Sequence, residues 1–110
     1  MGNCTVTIKK KGVRPFGRSN IVQIFLSNSY AAGGDTLPRS LLKIGNRLSA
    51  LILGSSVLSP SGHTVEVVYG ATEFADPKLK VRDVATGTEV GAIDLSASSI
   101  YAEAFGDPYK

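Results

Sequence analysis

The residues of this chain that come closest to a ligand-binding chemistry are Gly33, Gly34 and Asp35, in "AAGGDTLP". Adjacent glycines let backbone N–H groups converge on an anion, so the pair could cradle a phosphate. The spacing argues otherwise. A phosphate-binding P-loop carries Lys and Ser/Thr after its second glycine, with a helix behind. Here no Lys follows, and Pro38 cuts into what comes next. The G-x-G-x-x-G fingerprint of dinucleotide sites is also missing. The stronger expectation is an ordered bend. Gly33 and Gly34 permit positive φ, Asp35 or Thr36 satisfies the next backbone donors, and Tyr30 and Leu37 anchor the two ends. The tip then becomes a candidate contact surface.

Other chemistry has little to stand on. Nucleophilic catalysis needs a nucleophile, a base and a group that orients the base. His63 is the single histidine, and it follows a turn at the start of a strand-like run. Ser59 and Ser61 are near it in sequence, as serines often are in turns. A single cysteine, Cys4, forms neither an internal disulfide nor a zinc site with one histidine, and it reads as a small apolar side chain of a first strand. The acids Glu66, Glu73, Asp76, Asp83 and Glu89 fall one at a time along alternating runs, as solvated face and turn residues do. The expectation is a protein that is not an enzyme and has no metal or cofactor.

The elements that must position these residues read as strands. In "CTVTIKKKGV", Cys4, Val6 and Ile8 alternate with Thr5, Thr7 and Lys9, which is the period of a strand. Gly12, Pro15 and Gly17 in "GVRPFGR" predict an irregular loop after it. "NIVQIFLSNS" puts Val22, Ile24 and Leu26 on one face and Ile21, Gln23 and Phe25 on the other, so this strand is central or lies under another chain. After the glycine bend, Thr36 is positioned to cap a short helical turn that Gly45 closes. "LSALILGSSVL" reads as a strand bent at Gly54. "HTVEVVYG" and "KLKVRDV" alternate, the second with Leu79 and Val81 inward and Lys78, Lys80 and Arg82 outward. "DLSASSIYAEAF" closes the chain with Ile100, Ala102 and Ala104 opposite Tyr101, Glu103 and Phe105. About six short strands separated by turn clusters, with at most one helical turn, predict a single all-β sandwich or jelly-roll-like domain.

The 110 residues suit one domain. No apolar run approaches the ~20 residues of a membrane helix, and residues 1–20 lack the apolar segment of a secretory leader. A chain made and kept in a cytoplasm, or assembled there into something larger, is expected. The charge is uneven. Residues 1–34 hold Lys9, Lys10, Lys11, Arg14 and Arg18 and no acid, whereas residues 35–110 hold seven basic and nine acidic residues. The sequence therefore divides into a strand and basic arm or loop over residues 1–18 and a sandwich body over 19–110. The five cations are candidates for contact with an acidic partner. Phosphate tracking by "KKKGVRPFGR" is the rival reading, but aromatic residues are few and ungrouped, and no helix is expected to enter a groove.

Two stretches carry a resemblance. "SNSY-x-x-GGD-x-L" after an early strand (Ser27–Leu37) and a closing "DLS…I-x-A-E-A-F-G" (Asp94–Gly106) resemble small structural proteins of tailed bacteriophages. These are found among head decoration (cement) and minor capsid proteins. The likeness covers residues 19–106 in order and leaves the basic segment outside. It implies a β-sandwich subunit at the capsid surface of a virion assembled in the bacterial cytoplasm. It also implies a homo-oligomer, with a trimer favoured, and a major capsid protein as partner, with no membrane. Alternatives are a tail, neck or fibre protein and a small nucleic-acid-binding β-barrel.

Overall fold

The computed structural model describes residues 2–14, 17–44, 47–60, 62–72, 75–91 and 93–107. Among these residues seven strands form two antiparallel sheets, and the fold is all-β. The larger sheet has the order β1-β2-β7-β4, with β1 Thr5–Arg14, β2 Gly17–Phe25, β4 Arg47–Leu53 and β7 Ser99–Asp107. The smaller has the order β3-β6-β5, with β3 Asp35–Thr36, β5 Thr64–Val68 and β6 Lys78–Arg82.

The alternation in the sequence sets which face each strand buries. Val22, Ile24, Ile100, Ala102 and Ala104 point from the larger sheet into the core, and Val65, Leu79 and Val81 meet them from the smaller one. Leu37, Leu42, Ile44, Leu58 and Leu95 close the core from the connections between strands. β2 is an interior strand, paired with β1 on one side and β7 on the other, as its two apolar faces imply. Leu37 is fully buried, so its truncation to Ala removes about 2–5 kcal/mol of packing and transfer free energy.

Two expectations are corrected. Gly12–Arg14 and Gly17–Arg18 are not an irregular arm; Pro15 and Phe16 lie outside the described residues. β1 runs on to Arg14, β2 starts at Gly17, and the two pair down to Arg14 opposite Gly17. An antiparallel ladder pairs Gly12–Arg14 with Gly17–Ser19, which outweighs the local preference of the glycines for looser structure. The chain accommodates the extra length with a bulge: Ile8 faces Val22 and Lys10 faces Ile21, so Lys9 has no opposite number. The boundary between residues 18 and 19 falls inside β2. Thr36 also does not cap the helical turn. It belongs to β3, and the turn of 3-10 helix, Arg39–Leu42, follows Pro38, which offers no side-chain cap. That turn ends on Lys43 in the left-handed region, at φ 58°; Gly45 lies outside the described residues. What pins the turn is long-range. Asn20, buried in β2, donates its amide to the Leu42 carbonyl at 2.7 Å and the Lys43 carbonyl at 3.2 Å. Arg39 and Asp76 pair at 3.1 Å.

Candidate functional site

The glycine bend is built from both of its ends. Tyr30 and Leu37 are buried, so the loop between them is strung between two anchors in the core. Gly33 and Gly34 adopt φ 96° and φ 108°, a region that L side chains rarely enter. They differ in their surroundings. A Cβ on Gly33 would meet open space, whereas one on Gly34 would lie 2.7 Å from the Leu79 carbonyl oxygen. Gly33 is thus required by conformation alone, and Gly34 by conformation and by the close approach of β6.

The bend is held by carboxylates. Glu89 Oε2 accepts the Tyr30 hydroxyl at 2.6 Å and the Gly33 N–H at 2.8 Å. The Tyr30 oxygen in turn accepts the Val81 N–H at 2.9 Å, which ties the loop to the middle of β6. The Tyr30 hydroxyl bond, with a further contribution from the Gly33 N–H, holds the Glu89 carboxyl below its ordinary range. Burial and then the Glu89 bond push the Tyr30 phenol up. Asp35 is fully buried and accepts the Ser27 N–H through Oδ2 at 2.7 Å. Its Oδ1 is buried with no hydrogen-bond partner among the described residues. Cys4 sits in the same region. Burial, with Asp35 adding to it, pushes its thiol up to about 12.

This geometry decides between cradle and bend. The N–H of Gly33 already binds an anion, and that anion is the protein's own Glu89. A shallow cleft of about 340 Å³ beside the loop is lined by Asn28, Ser29, Tyr30, Ala31, Ile93 and Asp94. The Asp94 carboxylate at its wall accepts both the hydroxyl and the N–H of Ser96, which lowers its pKa. An acid-lined cleft repels a phosphate. Glu89 had read in the sequence as a solvated turn residue. Its partners lie 56 and 59 residues away, and no local pattern announces a pairing across that distance.

The basic residues are brought together on one hairpin. Lys9, Lys10 and Lys11 are exposed on β1. The register places Arg14 opposite Gly17 and Arg18 opposite Val13, at the turn end of the same hairpin. The side chains of Arg14 and Arg18, and all of Phe16, lie outside the described residues. His63 is half-buried just before β5, and its carbonyl accepts the Leu58 N–H at 2.8 Å; Ser61 lies outside the described residues. Among the described residues no three His, Cys, Asp or Glu side chains gather as metal ligands, and no helix is long and apolar enough to cross a membrane.

Comparison with protein-family models, with curated proteins and with solved structures finds no match to this chain.

Proposed function

We propose that this protein is a structural subunit of a bacteriophage particle, a capsid decoration protein that binds across neighbouring major capsid subunits and stabilises the shell. The observation that carries the reading is the ordered "SNSY-x-x-GGD-x-L" and "I-x-A-E-A-F-G" resemblance. The fold is compatible with such a role. The first of the two stretches is a loop whose glycine amide is taken up by an internal carboxylate, and the second is the β7 strand between β2 and β4. Both serve rigidity and presentation more than chemistry. The hairpin with Lys9, Lys10, Lys11, Arg14 and Arg18 is the surface assigned to the acidic face of the shell. Mass spectrometry and electron microscopy of purified virions test this. The protein is expected at hundreds of copies on the head. A handful of copies at the tail or neck moves the role there, and its absence from virions removes the reading.

A further inference from the structure

Two sheets have four outer edges, and on three of them part of the edge is bonded to another segment of the chain. At β3, Cys4 donates its N–H to the Thr36 carbonyl at 2.7 Å, and the Thr36 N–H reaches the Gly2 carbonyl at 3.2 Å. At β5, Val65 donates to the Ser56 carbonyl at 2.9 Å and Leu58 to the His63 carbonyl at 2.8 Å. At β4, the Tyr69 hydroxyl takes the place of a neighbouring strand. It accepts the Leu51 N–H at 3.2 Å and donates to the Leu51 carbonyl at 3.1 Å. The fourth edge belongs to β1, ten residues long, which pairs with β2 on one side and, among the described residues, with no strand on the other. An unpaired row of N–H and C=O groups is a template for another strand.

The side chains of β1 say which strand. One face carries Val6 and Ile8, half-buried at the rim of the core, and the other carries exposed Thr5, Thr7 and Lys10. Lys9 and Lys11 are exposed as well, and residues 1–34 contain no acid. A second copy pairing edge to edge would set one lysine cluster against the other, which is unfavourable. The same lysines attract a strand of opposite charge. We propose that the free edge of β1 receives an extended acidic segment of a partner by strand addition. The segment would alternate apolar residues, which continue the row of Val6 and Ile8, with carboxylates that face Lys10 and its neighbours. This deepens the reading of the basic hairpin as a partner contact, but its test needs no virion.

The test uses the purified, ¹⁵N-labelled full chain and an acetylated, amidated ten-residue peptide that alternates valine and glutamate. The peptide is expected to slow hydrogen exchange and shift amide resonances along β1, in Thr5–Val13, and to leave β4 and β5 unchanged. Replacing Lys9, Lys10 and Lys11 together with Ser is expected to weaken binding by roughly tenfold. Binding of the unaltered protein should also weaken as salt rises from about 0.01 M to about 1 M. Two further peptides, N-methylated at every valine or at every glutamate, separate strand addition from charge attraction on the wild-type chain. Only one of these sets turns its N–H groups toward β1, so one peptide is expected to lose binding and the other to keep it. Equal affinity of the two, shifts centred away from β1, or no binding at low salt each overturn the proposal. Binding of the peptide by a protein absent from virions would sink the capsid reading and leave this inference standing; virion occupancy without peptide binding would do the reverse.

Discussion

At the scale of single residues, the carboxylate of Glu89 has the widest reach. It fixes the Tyr30 hydroxyl, which fixes the Val81 N–H, and it occupies the Gly33 N–H. Glu89→Ala removes two hydrogen bonds near the surface and is expected to cost about 1 kcal/mol. Tyr30→Phe is expected to cost more, about 1–3 kcal/mol, because it also leaves the Val81 N–H buried without its acceptor. The Glu89 contribution has a defined pH window. Its carboxyl is held below the ordinary 4.5 in the folded state, so the stabilisation is present above that value and is lost as pH falls through the lower folded-state value. Urea unfolding of wild type and Glu89→Gln should therefore differ at pH 7 and converge in strong acid. A gap that is the same at both pH values would refute the assignment.

At the scale of elements, the two glycines of the bend are separable. Gly33→Ala meets only conformational strain, expected at about 1–2 kcal/mol. Gly34→Ala adds a Cβ 2.7 Å from the Leu79 carbonyl oxygen, so β3 must move off β6 or the loop must open, at about 3 kcal/mol or more. Thermal melts of the two variants check the order; equal losses would mean that β6 gives way. The longer strands were legible in the sequence, because alternation is a local signal that survives folding, whereas the two-residue β3 was not. Lys78, Lys80 and Arg82 do lie on the side away from Leu79 and Val81. The interior place of β2 was legible for the same reason, since both its faces carry apolar groups. The ladder on either side of Pro15 and Phe16 was not. Glycines and a proline suggest looseness, and only the pairing of Gly12–Arg14 with Gly17–Ser19 makes a ladder there. The 3-10 turn was foreseen near Thr36, but its position is set by Asn20 and Asp76, both distant in sequence.

At the scale of the whole molecule, two buried acids with raised pKa values set a limit in alkali. Cys4 is pushed from 9.0 up to about 12 by burial and by Asp35, and Tyr30 is raised by burial and Glu89. Each is neutral in the folded core, so its contribution is complete below the unfolded-state value and is lost as pH rises through the folded-state value. Stability should fall from about pH 9 toward pH 12, and Cys4 should resist thiol reagents at pH 8 until the chain unfolds. Rapid labelling of the native protein would contradict the burial of Cys4.

What the sequence determined by itself was the longer strands, their inward faces, the freedom of Gly33 and Gly34 to take positive φ, and the concentration of positive charge in residues 1–34. These depend on period, backbone sterics and composition, all of which are written within a few residues. Only the tertiary structure decided that the anion at the glycine bend is Glu89, that Lys9, Lys10 and Lys11 ride on a paired strand, and that the outer side of β1 meets no strand among the described residues while Tyr69 bonds Leu51 on the edge of β4. Those outcomes depend on which distant groups the fold brings within hydrogen-bond reach, and the packing of one sheet on the other fixes that.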